Sequence, residues 1–178
     1  MYGLYWTAFR SLLSKEVTRF TRIWVQTLVP PAITMTLYFI IFGNLIGSRI
    51  GEMSGFSYME YIVPGLIMMS VITNSYSNVA SSFFSAKLQK NIEELLVAPV
   101  PNYVIIAGYV MGGVTRGLLV GAIVTCVSLL FVDLQVEHWG GIIVATVFMT
   151  SVVFALGGLI NAVYAKTFDD ISIILRLY

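Results

Sequence analysis

Arg116 is the one charged side chain between Leu95 and Val132. About thirteen residues into a helix begun near 103, it sits roughly 20 Å deep at 1.5 Å per residue. A guanidinium at that depth in a bilayer costs from about 3 to more than 10 kcal/mol, so it must face protein or water. Asn74 and Asn78, within the polar run TNSYSN, are the first amides offered to it. Two arrangements meet that need. Either the polar side chains line a translocation route, or they form a contact between helices in which asparagines and carbonyls satisfy Arg116.

A second group of residues suggests docking chemistry. In KNIEELLVAPVP, residues 90–101, Lys90, Glu93 and Glu94 interrupt an otherwise oily chain. Leu88, Ile92, Leu95 and Leu96 fall on one helical face, with Lys87, Lys90, Asn91, Glu93 and Glu94 around the rest. The spacing predicts a helix over 86–99, with Ser85 as N-cap and with Pro99 and Pro101 stopping it. Lys90 and Glu94 stand four apart with the lysine first, the weaker orientation, which adds a few tenths of a kcal/mol at most. An element of such modest intrinsic stability needs a surface, either the membrane or a protein groove that is apolar and rimmed with positive charge.

Catalytic chemistry is not expected of this chain. No G-x-x-x-x-G-K-[ST] phosphate loop is present to cradle a nucleotide. His138 is the single histidine, which excludes a histidine-cluster metal site, and neither a serine-nucleophile nor a paired-carboxylate signature occurs. No cofactor is expected in the chain, so energy for any work must come from a partner or an ion gradient.

The elements that carry these residues follow from composition. Of 178 residues 58% are hydrophobic and 11% charged, and mean hydropathy is +0.88, whereas soluble domains carry about 25% charged residues. The chain is predicted to be an all-α integral membrane protein. A net charge of +1 gives no reason to expect nucleic acid, and the single cysteine, Cys126, reads as packing. Stretches long enough to cross a bilayer with at most one charged residue each put spans near 25–47, 59–82, 103–131 and 140–164. Gly113, Gly117 and Gly121 recur every fourth residue on one face of the third, and Gly108 and Gly112 form a second pair. This spacing lets membrane helices approach closely. Pro30, Pro31 and Pro64 are expected kinks.

Arg10, Lys15, Arg19, Arg22, Lys87, Lys90 and Lys166 fall in alternate connections from the N-terminus, while the others hold Arg49 beside Glu52, Asp133 and Glu137. The excess of Lys and Arg marks the cytoplasmic side and puts the N-terminus there. Within residues 4–24, Trp6, Phe9, Leu13, Val17, Phe20 and Trp24 recur at threes and fours, predicting an amphipathic helix in the membrane interface. It serves either as an anchor or as a transmitter of motion. After AKTFDD the last eight residues, ISIILRLY, begin a fifth span or form an interfacial tail.

The run IEELLVAPVPNYVIIAGY, with RIWVQTLVPPAITMTLYFIIFGNLIGSRIG, IVPGLIMMSVI and AKTFDDISII, resembles the permeases of the ABC-2 type transporter family, whose loop pattern is approximately G-T-x-E-x-L-L-x-x-P. The resemblance runs to about residue 174. It implies one partial ABC-2 transmembrane domain over 1–178, about two-thirds of a six-span bacterial inner-membrane permease. It further implies a homodimer in the lipid bilayer and a separate ATPase subunit that grips a coupling helix. Glu93 matches the family's acid, Leu95 and Leu96 its leucine pair and Pro99 its proline, while Lys90 and Asn91 stand where many members have Gly-Thr. Lys90, Ile92, Glu93, Glu94, Leu95, Leu96 and Pro99 are thus the candidate ATPase contacts; Arg116, Asn74, Asn78, Gly113, Gly117 and Gly121 are the candidates for pathway or helix interface. Two other readings stand beside an exporter subunit: a non-transporting membrane scaffold, and an ion-coupled carrier using Arg116. The carrier would need a carboxylate deep in a span, and Glu60 and Asp133 lie only at outer ends.

Overall fold

The computed structural model describes residues 2–42, 52–53, 56–132 and 140–171. Among these, six helices account for nearly everything: α1 (Tyr2–Arg22), α2 (Trp24–Ile41), α3 (Tyr58–Leu88), α4 (Asn91–Val97), α5 (Asn102–Ser128) and α6 (Gly140–Tyr164). Among the described residues, the one departure from an all-α chain is a two-stranded antiparallel ladder before α3, with Glu52 opposite Ser57 and Met53 opposite Phe56. Arg49, Asp133, Glu137, His138 and Arg176, and the outer end of the first expected span, lie outside the described residues.

Trp24–Ile41, Asn102–Ser128 and Ile143–Tyr164 are long and apolar enough to cross a membrane. α3 has the length, 31 residues, but its run of serines and asparagines lowers its hydropathy below theirs. Boundaries differ from expectation at three places. α1 ends at Arg22, and a turn at Ile23 separates it from α2. α3 continues to Leu88, six residues past the expected end of its span, so Ser85 lies inside it and caps nothing. The short helix expected over 86–99 is therefore confined to Asn91–Val97. Pro30, Pro31 and Pro64 are all accommodated within continuous helices.

Hydrophobic burial gives little preference for one membrane-helix pairing over another, because lipid tails are as apolar as leucine; close packing and polar contacts decide. α5 supplies both. A methyl group on Gly113 would lie 2.9 Å from the Ser75 carbonyl oxygen, one on Gly121 2.6 Å from Val71, and one on Gly117 would overlap the Ser75 hydroxyl. The register descends on α3 as it rises on α5, so these helices are antiparallel. Gly108 and Gly112 receive α1 instead: an added Cβ would meet Leu12 Cβ at 2.8 Å and Glu16 Cβ at 2.6 Å. Here both numbers rise together, so α1 runs alongside α5 in the same direction. α6 closes on α3, where a methyl group added at Gly158 would lie 2.6 Å from the Tyr76 carbonyl oxygen.

Polar pairs reinforce these contacts. The Ser75 and Ser151 hydroxyls share a hydrogen bond of 2.6 Å, Asn161 donates to the Tyr76 hydroxyl at 2.6 Å, and Lys87 Nζ donates to the carbonyls of Val163 and Ala165 at 2.7 and 3.0 Å. Lys87 thereby serves the C-terminal carbonyls that a helix leaves without partners. Beyond α6, residues 168–171 are helical. The Asp170 carboxylate accepts from the backbone N–H groups of Lys166 and Thr167 at 2.9 Å each, which holds its carboxyl below the usual carboxylate range. Cys126 is exposed on α5 and does not pack within this chain.

The glycine contacts yield a contrast. Gly117→Ala, whose new methyl overlaps Ser75, should destabilise the protein by about 1–3 kcal/mol. Gly65→Ala, in a helix with nothing within 4 Å of the new atom, should be neutral or stabilising by up to about 1 kcal/mol. Thermal unfolding in detergent checks both; equal midpoints for the two variants would contradict the packing described.

Candidate functional site

Two features carry the sequence-predicted residues: a charged network beneath α1 and the exposed helix α4. The buried stripe of α1 is Leu12, Glu16 and Phe20, spaced by fours. It differs from the expected apolar stripe, since Trp6 and Trp24 are well exposed. Glu16, 1% exposed, is the residue that sequence reasoning missed. The available signal was a lone acid on the row joining Leu12 to Phe20, three residues before an arginine.

Glu16 accepts from the Ser82 hydroxyl at 2.6 Å and from Arg19 Nη2 at 3.2 Å. The same Arg19 nitrogen donates to Asn78 Oδ1 at 2.8 Å and to the Asn78 carbonyl at 3.2 Å. Arg116 approaches from α5, its Nη1 donating to the same Asn78 Oδ1 at 3.4 Å. Arg116 has thus found one of its two expected amides. The other, Asn74, turns to its own helix and donates to the Ser70 carbonyl at 3.0 Å. Gly112 is what admits Glu16, since any larger residue there would strike its Cβ. The polar run of α3 is consequently divided among neighbours: Ser75 and Tyr76 face α6, and Asn78 and Ser82 face α1. Gly113, Gly117 and Gly121 lie against α3 as helix contacts.

α4 is held between α3 and α5 by two residues. Ile92 and Leu95 pack on the core formed by Leu12, Val79, Ala86, Ile105 and Tyr109. Leu88 and Leu96, expected on the same face, are not there: Leu88 belongs to α3, and both are more than half exposed. Glu93, Glu94, Val97 and Pro99 are exposed as well. A groove of about 400 Å³ joins α1 to this element, with Leu12 and Lys15 on one wall and Asn91, Glu94 and Leu95 on the other. Lys90 caps the helix with φ 59° and ψ 9°, the left-handed region. This gives the Gly-Thr of the loop pattern a physical cause, because glycine adopts that conformation without strain.

Residues 7–178 match the ABC-2 type transporter family, and the chain belongs to it. Proteins named inner membrane transport permease YadH, from Escherichia coli strain K12 and from Shigella flexneri, are each 70% identical to this chain over 174 residues, covering 98% of it and 68% of their own length. No solved structure matches.

Two outcomes follow from the geometry. Glu16→Leu leaves two guanidiniums on one amide oxygen and should cost about 2–3 kcal/mol. Arg19→Leu in the same chain should recover part of it, with a coupling of about 1 kcal/mol or more in a double-mutant cycle; additive costs would mean that Glu16 and Arg19 act independently. Lys90→Gly should raise stability by about 1 kcal/mol through relief of the left-handed strain, read as a higher unfolding midpoint.

Proposed function

We propose that the chain is the membrane-spanning subunit of an ABC-2 exporter in a bacterial inner membrane, working as a homodimer with a separate ATPase subunit that binds α4. The observation that carries this reading is the division of α4 into an anchored and an offered face. Ile92 and Leu95 fix it to the helical bundle, while Glu93, Glu94, Leu96 and Val97 remain exposed on one short element. Val97 is 86% exposed and Leu96 57%. Apolar side chains beside two acids suit a groove that is apolar within and basic at its rim. The relatives' printed names, inner membrane transport permease, support the location and the class of work.

The N-terminus and α4 then face the cytoplasm, as the distribution of Lys and Arg requires. ATP hydrolysis belongs to the partner, and movement of α4 is the input to this chain. That movement passes along two routes. Through the groove shared with Lys15 and Leu12 it reaches α1; through Val100 and Ile105, which pack on the same core, it reaches α5. Arg19, Asn78 and Arg116 tie α1, α3 and α5 together, so a tilt of α1 carries the cytoplasmic halves of the other two with it. Rocking of these helices in the two copies opens the route alternately.

Co-purification tests the reading. The tagged permease should capture an ATP-binding subunit, and Glu93→Lys combined with Leu96→Asp should lower capture by about tenfold or more, the scale of losing two interface contacts. Both residues are exposed, so the doubly substituted chain should keep the unfolding midpoint of the parent. Undiminished capture would remove the docking role from α4 and favour the scaffold reading, in which partners bind elsewhere.

A further inference from the structure

We infer that the cluster of Arg19, Arg116 and Asn78 is a binding site for a phosphate group, supplied by the headgroup of an anionic phospholipid in the leaflet that borders α1. Charge is the first argument. Two guanidiniums converge on one amide oxygen, at 2.8 and 3.4 Å, and among the described residues the one carboxylate bonded to either is Glu16, which accepts from Arg19. A positive charge is left over in a setting where an unpaired one is costly.

Unused donors are the second argument, and they mark where the missing group would lie. Each guanidinium has five N–H donors in a planar fork. The described contacts engage one nitrogen of each: Nη2 of Arg19, and Nη1 of Arg116 in a single long bond. Arg19 Nε, Arg116 Nε and Asn78 Nδ2 are buried without an acceptor among the described residues, and Asn78 is 0% exposed. The hydroxyl of Tyr109, within electrostatic reach of Glu16 and Arg19, is also buried and unpaired. Four orphaned polar atoms in one cluster, at least three of them pure donors, call for a ligand made of acceptors. A phosphate offers several oxygens and negative charge, and it takes arginine forks in parallel pairs.

Access is the third. The Arg19 side chain is 35% exposed. It lines a shallow groove of about 950 Å³ along α1, where Arg10, Lys15 and Arg22 alternate with Ser11, Ser14 and Thr18. Basic and hydroxyl side chains along an amphipathic helix suit a layer of anionic headgroups. Arg116 shares the Asn78 oxygen with Arg19, so it lies at the level of α1 and not at the depth expected from its place in the span, and a headgroup beside Arg19 meets it. The site would then tie a lipid to the contact that joins α1 to α3 and α5, without involving α4.

Native mass spectrometry of the full chain in detergent tests this without an ATPase present. Phosphatidylglycerol should bind about tenfold more tightly than phosphatidylcholine, whose choline cancels the phosphate charge, and Arg116→Gln or Arg19→Gln should each remove most of that preference. Glu16→Gln, which withdraws the competing carboxylate while keeping shape, should strengthen phosphatidylglycerol binding by about threefold or more; a merely structural Glu16 would weaken it or leave it unchanged. Inorganic phosphate at millimolar concentration identifies the source. If it binds with the same arginine dependence and phosphatidylglycerol gains nothing over phosphatidylcholine, the phosphate is a soluble one and the lipid assignment is overturned. Equal binding of both lipids with no phosphate binding overturns the site. So does a phosphatidylglycerol preference that survives both arginine changes, or, where those chains fail to fold, one that does not rise in Glu16→Gln.

Discussion

Close approach to α5 is the constraint on which the rest of the structure depends. Helices in lipid gain little from hiding apolar surface against one another, so contact distance and satisfied polar groups decide which pairings persist. α5 presents two glycine rows. Gly113, Gly117 and Gly121 bring α3 near enough for Ser75 to reach Ser151 on α6, and Gly108 and Gly112 bring α1 near enough to bury Glu16. With a larger side chain at any of these positions the neighbouring backbone would have to move, and its hydrogen bonds with it.

The charged network is a consequence of that geometry. Glu16 is buried because Gly112 leaves room for it, and burial then obliges it to hold Ser82 and Arg19. Arg19 in turn orients Asn78, whose amide oxygen is shared with Arg116. Three helices distant in sequence are thereby joined by directional bonds at one level. Such a junction resists independent tilting of its members, because a small displacement of α1 loses charge-assisted bonds that water is not at hand to replace. α4 is seated on the same core through Ile92 and Leu95, and Arg19, a member of the junction, also lines the basic face of α1.

Much of the fold was legible in the sequence, for reasons that are local. The absence of charge over Trp139 to Ala165 pointed to a membrane-length helix where α6, Gly140–Tyr164, lies. Glycines every fourth residue lie on one helical face whatever surrounds them, and their spacing announced close contacts before the partners were known. The acids and prolines of residues 90–101 likewise announced a short exposed element. Its boundaries were less legible. Leu88 and Ile92 fit one helical period across a break that Lys90 makes by adopting the left-handed region, and periodicity does not register a turn made by a residue other than glycine.

What the sequence determined by itself was an apolar helical chain, a short charged element between two of its helices and the demand of Arg116 for company, because hydropathy, spacing and the cost of a buried charge are properties of residue types. Tertiary structure decided who answers that demand. Asn78 rather than Asn74 meets Arg116, and Glu16, which reads in the sequence as one more surface charge, becomes the buried centre of the network. Both outcomes depend on the rotation of α3 and the register of α1 against Gly108 and Gly112, relations between distant segments that no local pattern encodes.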